Sequence, residues 1–314
     1  MPDEKKYSIV TGANSGIGRE VAAGLMAAGH HVVLACRNQE ACEVAAAALA
    51  AAQPRGSCEC SRIDLEDLGS VRAFAARHRA ALRRERRALS VLVNNAGLMG
   101  PPNRPDGADR HLWANHLGPY LLTRLLVPAF DRKGGGRVVN VASRAHYLGS
   151  VKVAREGGGG GGGGGLGGDE AAGGGGGGGW RIEGDPGWWF WQYARSKLCN
   201  VLFTRELQQR HPHVASSSVS PGFVGTAIFS NLPWPARLLA APARALARTP
   251  EQGAATAVWA ATAEEAGGMA PEARLFLHDC APLKPSALAL DAELSRALWE
   301  ASARAVGIHP DRDD

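Results

Sequence analysis

The residues best placed to do chemistry are Tyr193 and Lys197, in the run Tyr193-Ala194-Arg195-Ser196-Lys197. Four positions apart on a helix, a phenol and an ammonium project from one face. A tyrosine with a pKa of about 10 is a poor acid or base at neutral pH. A nearby cation stabilises the phenolate and draws that value toward the working range. Taken alone, such a pair is more commonly a surface pair, so its weight depends on the surrounding chain. A second run, Thr11-Gly12-Ala13-Asn14-Ser15-Gly16-Ile17-Gly18, supplies that context. It stands between a strand-like Tyr7–Val10 and a helical pattern from Gly18 to Gly29, the setting a dinucleotide loop requires. Gly12 permits the tight turn, Gly16 lets backbone approach a pyrophosphate, and Gly18 lets helix and strand pack closely. The helix N-terminus offers free N–H groups and positive dipole to phosphates.

The nucleotide is read from the end of the second strand. An acid there would hydrogen-bond the ribose hydroxyls of NAD. This chain has Ala35-Cys36-Arg37-Asn38 instead, and a guanidinium holds a phosphate by bidentate, charge-assisted bonds. NADP(H) is the expected cofactor, with Arg37 on its 2′-phosphate.

The elements that must position these groups alternate along the chain. Strands are expected at Tyr7–Val10, His31–Ala35, Cys58–Ile63, Ser90–Val93, Arg137–Val141 and Ala215–Val219. Helices are expected from Gly18 to Gly29 and over Gln39–Ala52, Ser70–Arg87, Leu112–Phe130 and Gln192–Arg210. Short apolar strands separated by helices describe βαβ units and a parallel sheet covered on both faces. Right-handed crossovers then favour an α/β, Rossmann-type doubly wound sheet. No second core is evident, so residues 1–314 are expected to form a single domain. Residues 223–314 would be its substrate-lid and C-terminal extension.

Composition agrees. Hydrophobic residues make up 45% and charged residues 21% of 314 residues, enough for a buried core. Of 41 glycines, 18 fall in residues 157–179, so the chain is globular with one low-complexity insert. The +5 formal charge is accounted for by Arg77, Arg79, Arg83, Arg84, Arg86 and Arg87 against Glu85, read as one solvated helix face. No nucleic-acid partner is expected, and a polyanion or acidic membrane surface is the minority reading. The six cysteines show no paired framework and no zinc-ligand spacing. Reduced thiols, a cytoplasmic location and no metal are expected. No targeting segment is expected ahead of the first strand, and no membrane span is expected, because no long uncharged apolar run occurs in these residues.

With these features in order, the chain resembles the short-chain dehydrogenase/reductase family from residue 7 to about 230, interrupted by the glycine insert. Thr11–Gly18 resembles its TGxxxGxG loop and Asn94-Asn95-Ala96-Gly97 its NNAG motif. Asp64-Leu65 is similar to the aspartate segment that caps the adenine. Pro221-Gly222, with Val224 and Thr226, resembles the segment that contacts the nicotinamide amide. The resemblance implies a four-member site of Asn115, Ser143, Tyr193 and Lys197. Ser143 would orient the substrate carbonyl and Asn115 would hold a water linking the lysine to solvent. Lys197 would hold both the nicotinamide ribose and the phenolate. Hydride would pass between the nicotinamide and the carbonyl carbon while Tyr193 handles the proton.

Ser143 and Tyr193 stand 50 residues apart, far for the family, and removing the insert brings them close to the spacing of its retinol-dehydrogenase-like branch. Phrases such as Asn115-His116-Leu117-Gly118-Pro119 and Ser196-Lys197-Leu198-Cys199-Asn200 are similar to that branch, and some also to light-dependent protochlorophyllide reductases. Both imply a bulky apolar substrate. Trp180, Trp188, Trp189, Phe190 and Trp191 could line an apolar channel or touch a membrane surface. They could equally pack the base of the glycine loop. A basic amphipathic segment from Leu232 to Arg248 occupies the lid position. A homodimer is implied by resemblance only, and a non-catalytic NADP-binding scaffold is the alternative from another class.

Overall fold

The computed structural model describes residues 5–100, 103–132, 135–155, 180–184, 187–224 and 247–312. The first strand, β1 (Tyr7–Thr11), is buried along its whole length, as a central parallel strand must be. Its successive side chains point to opposite sides. Ile9 joins Val33, Leu92 and Val138 in one core, and Val10 joins Val32, Leu34, Val93 and Val139 in the other.

Around β1 the chain runs through α1 (Gly16–Ala27), β2 (His31–Cys36), α2 (Gln39–Ala52), β3 (Ser57–Arg62), α3 (Leu68–Glu85) and β4 (Leu89–Asn94). A broken helix follows, made of α4 (Arg110–Leu112), a π-turn at Trp113–Leu117 and α5 (Gly118–Leu126). Then come β5 (Gly136–Val141), β6 (Lys152–Arg155), β7 (Trp180–Glu183), the long α6 (Trp189–Arg210) and β8 (Val214–Ser220). The last part contains α7 (Pro250–Thr262), β9 (Phe276–His278), β10 (Ala281–Pro282) and α8 (Ala292–Ala305).

Eight strands form one sheet in the order β10-β9-β8-β5-β4-β1-β2-β3, parallel except for the β9–β10 pair. Helices α3, α5 and α6 cover one face and α1, α2 and α7 the other. The described residues therefore form a single doubly wound α/β domain. Strand order reverses between β1 and β4, and a crevice opens there at the carboxyl ends.

Several expectations are revised. The region after residue 221 adds β9 and β10 to the sheet; three and two residues long, they show no period to read. A separate antiparallel pair, β6–β7, sets Arg155 opposite Trp180. The glycine insert 157–179 lies between them, outside the described residues. The expectation of six reduced thiols fails: Cys42 on α2 and Cys60 on β3 form a disulfide with Cα atoms 6.0 Å apart. The packing of α2 over β3 creates that pair, and nothing in the spacing of the cysteines announces it. The arginine run is largely the solvated face expected. Arg83, Arg84 and Arg86 are exposed at the C-terminus of α3, where cations complement the helix dipole. No described helix is long and apolar enough to cross a membrane.

Candidate active site and dinucleotide groove

The β1–α1 turn is built for close approach. Gly12 has φ +65° and Gly16 φ +55°, backbone that side chains disfavour. A Cβ on Gly18 would stand 2.3 Å from the Gly12 carbonyl oxygen and 2.4 Å from Asn95 Nδ2. The loop therefore folds flat against the end of β4. Asn95 fastens it: Nδ2 donates to the Thr11 carbonyl at 2.8 Å, and Thr11 Oγ1 accepts from the backbone N–H groups of Asn95 and Ala96 at 3.0 Å each.

A groove of about 410 Å³ begins at this loop and runs along the switch point. It gathers Gly12, Asn14, Ser15, Gly16, Ile17, Gly18, Arg37, Asp64, Leu65, Asn95, Ala96, Gly97, Tyr193, Lys197 and Pro221, most of the residues named from sequence. A glycine cradle at a helix N-terminus, continuous with an apolar wall and ending at a phenol and an ammonium, fits an elongated dinucleotide. Gly222, at φ +78°, lies against the Arg248 side chain instead. Val224 is buried at 5% exposure and reaches the start of α7 beside Ile17. Thr226 lies outside the described residues.

The groove also contains Glu66, which sequence reading did not single out. Its carboxylate is 3.2 Å from Arg37 Nη1. An acid therefore does stand beside the end of β2, supplied by the β3–α3 connection and not by β2 itself.

At the other end, α6 carries Tyr193 and Lys197 on one face, with Lys197 Nζ 5.6 Å from the Tyr193 ring centre. Nζ donates to the Val141 carbonyl at 2.8 Å, at the end of β5. Ser143, two residues beyond, hydrogen-bonds the Tyr193 hydroxyl through its side chain. Burial raises the phenol pKa and the Ser143 bond lowers it, with a net rise. Burial also draws the Lys197 ammonium down to about 8. The chain alone therefore favours a protonated phenol, a proton donor, over the phenolate anticipated from the pair.

Asn115 sits in the π-turn, where the widened helix leaves its amide free to bond sideways. Oδ1 accepts from Leu98 N at 2.8 Å, and Nδ2 donates to the Leu98 carbonyl and to Ser196 Oγ at 3.0 Å each. Ser196 Oγ in turn donates to the Tyr193 carbonyl at 2.7 Å. All four expected members thus converge on one corner.

A buried ion pair steadies that corner. Arg195 Nη2 is 2.7 Å from Asp109 Oδ2, both side chains only 4% exposed. Asp109 Oδ1 also accepts from His111 N at 2.8 Å. Burial pushes the Asp109 carboxyl up, but bonds from His111 and Arg195 and the Arg195 charge outweigh it and hold it below the usual carboxylate value. Arg195 also donates to the Glu183 and Gly184 carbonyls, fixing the end of β7 to α6. Beside Tyr193, Met99, Ala145 and Trp189 make an apolar patch, while Trp188 and Trp191 are 58% and 41% exposed. Among the described residues no group of three or more His, Cys, Asp or Glu could hold a metal ion.

Comparison with known proteins agrees with this geometry. The profile of the short chain dehydrogenase family matches residues 6–154. Polyprenol dehydrogenase from Danio rerio is 33% identical over 321 residues, covering 98% of this chain and 89% of its own. Retinol dehydrogenase 12 from Bos taurus is 33% identical over 313 residues, covering 96% and 87%. Dehydrogenase/reductase SDR family member 13 from Homo sapiens is 36% identical over 312 residues, covering 98% and 75%. Among solved structures, an uncharacterized protein from Mycobacterium Paratuberculosis aligns over 97% of this chain and 94% of its own, with a TM-score of 0.67 and 26% identity. A short-chain dehydrogenase from Sphingobium yanoikuyae in complex with NADPH shares the fold over 81% and 84%, with a TM-score of 0.58 and 19% identity. The chain belongs to the short chain dehydrogenase family, in its retinol dehydrogenase-like branch, and is an oxidoreductase that uses a nicotinamide cofactor.

Proposed function

We propose that the protein is an NADP(H)-dependent oxidoreductase that interconverts a carbonyl and an alcohol on a bulky apolar substrate, favouring reduction near neutral pH. The observation that carries this reading is the corner where Tyr193, Ser143 and Lys197 meet at the end of the groove. When bound, the reduced nicotinamide supplies hydride to the carbonyl carbon. Tyr193 Oη donates the proton to the carbonyl oxygen, and Ser143 Oγ holds the same oxygen as negative charge develops on it. The high phenol pKa keeps that proton in place at neutral pH. Lys197 contributes its charge beside the phenol and would hold the nicotinamide ribose. Asn115 anchors the Leu98 backbone against Ser196 and is the candidate holder of a water leading from Lys197 to solvent.

NADP(H) is favoured by Arg37, just past the end of β2, whose side chain is 61% exposed and makes a single contact with the Glu66 carboxylate at 3.2 Å, leaving the rest of its guanidinium edge to meet a 2′-phosphate. An apolar substrate is favoured by Met99, Ala145 and Trp189 beside Tyr193, and by relatives named for retinol and polyprenol. The exposed Trp188 and Trp191 would meet such a substrate, or a peripheral membrane surface presenting it. An NADPH-consumption screen over retinal, long-chain aldehydes, quinones and steroid ketones tests the reading. Turnover of apolar carbonyls with NADPH preferred over NADH supports it, and activity confined to small polar substrates with NADH refutes it.

A further inference from the structure

The carboxylate of Glu66 stands where a 2′-phosphate would approach Arg37, and left to itself it would neutralise Arg37 and repel the phosphate. It is not left to itself. Arg110, the first residue of α4, grips it with two parallel bonds: Nε to Oε1 at 2.8 Å and Nη2 to Oε2 at 3.0 Å. Arg37 reaches only Oε2, at 3.2 Å, with 61% of its side chain exposed against 25% for Arg110 and 17% for Glu66. The two-bond geometry makes Arg110 the preferred partner and Arg37 the secondary one. Arg104 holds the same segment by donating Nη1 to the Glu66 carbonyl at 2.9 Å.

From this arrangement, and resting on the NADP(H) reading above, we infer that Arg110 is a cofactor-specificity residue that acts at a distance. By sequestering Glu66 it leaves the Arg37–Glu66–Arg110 trio with one surplus positive charge, available to a 2′-phosphate. Arg110 touches no part of the groove's phosphate cradle. It is a positioning residue, and its effect is confined to the cofactor that carries the extra phosphate.

The test is the dissociation constant of NADPH and of NADH, read by tryptophan fluorescence quenching, for the full chain and for Arg110→Gln, Glu66→Gln, the double variant and Arg37→Ala. Arg110→Gln should weaken NADPH about three- to fivefold, the upper scale of one partly exposed charge interaction, and leave NADH within about 1.5-fold. Removing both groups should restore NADPH affinity, since the acid that Arg110 restrains is then gone. Glu66→Gln alone should bind NADPH as tightly as the natural chain or more tightly. Equal weakening of both cofactors by Arg110→Gln, no weakening, or no recovery in the double variant overturns the inference. A loss of NADH affinity in Glu66→Gln also overturns it, because Glu66 would then be reading the ribose hydroxyls. If Arg110→Gln does not fold, the Glu66→Gln result decides alone. An unchanged NADPH-to-NADH ratio in Arg37→Ala instead refutes the NADP(H) reading beneath it.

Discussion

Replacing Gly18 by alanine probes whether the β1–α1 turn is a phosphate cradle or merely a tight turn. The added Cβ would lie 2.3 Å from the Gly12 carbonyl oxygen, against an ordinary carbon–oxygen contact of about 3.5 Å. The obstructing atom is backbone, so no side-chain rotation relieves the clash and the loop must retreat by about 1 Å. Overpacking of this kind costs about 1–3 kcal/mol of stability. A displacement of about 1 Å in groups that position a ligand costs on the order of 100-fold in function. Gly24→Ala is the matched control, because its Cβ would meet Val258 methyls at 2.6 and 2.8 Å on the same helix, at α7 and away from the loop. Thermal melts and NADPH titrations of both variants separate the two effects. Both should lose stability, and only Gly18→Ala should lose NADPH affinity, by about 100-fold. If Gly18→Ala bound NADPH within about threefold of the natural chain, or if both variants lost affinity equally, the cradle argument would be refuted.

Three further outcomes follow from the same geometry. Asp109→Ala leaves the Arg195 guanidinium buried without its carboxylate, so urea unfolding should show a loss of about 3–5 kcal/mol, with Asp109→Asn losing less. Reduction needs Tyr193 protonated and Lys197 charged, and burial has drawn Lys197 down to about 8. The reductive rate should therefore be level below that pH and fall as pH rises through it, while alcohol oxidation, which needs the phenolate, should rise with pH. A reductive rate that climbed through pH 8 would contradict these protonation states. Deleting residues 158–178, so that residues 156, 157 and 179 form a three-residue turn between β6 and β7, should leave a folded enzyme with turnover within about threefold of the full chain. Arg155 and Trp180 are already paired across β6 and β7, and closure entropy changes only with the logarithm of loop length. A folded deletion variant without turnover would contradict this.

What could be read in advance was local. Gly12, Gly16 and Gly18 lie within seven residues and Tyr193 and Lys197 within five, so a strand-to-helix turn and a single helical face were enough to place them. The central strands were legible as apolar runs because both of their faces are buried. The partners that tune the site were not. Glu66 meets Arg110 across 44 positions and Arg195 meets Asp109 across 86, separations at which only the assembled fold decides who touches whom. The assignment of Arg37 to a strand end without an acid was correct for the strand and incomplete for the pocket. The same reason hid the Cys42–Cys60 bond, and the edge strands β9 and β10 were too short to carry a period. The raised phenol pKa was also hidden, because a YxxxK pattern reports the neighbouring charge but not the desolvation around it.

The measurement that bears most directly on the whole account is Tyr193→Phe, assayed for NADPH binding and for NADPH-dependent reduction of an apolar aldehyde. The substitution removes one oxygen from a buried ring and leaves the groove otherwise intact. Reduction should fall by about 10²–10⁴-fold, the worth of a positioned general acid, while the NADPH dissociation constant stays within about twofold. A variant that bound NADPH normally and still turned over at a comparable rate would show that the proton comes from elsewhere, and the assignment of the Tyr193, Ser143 and Lys197 corner as the catalytic centre would fail.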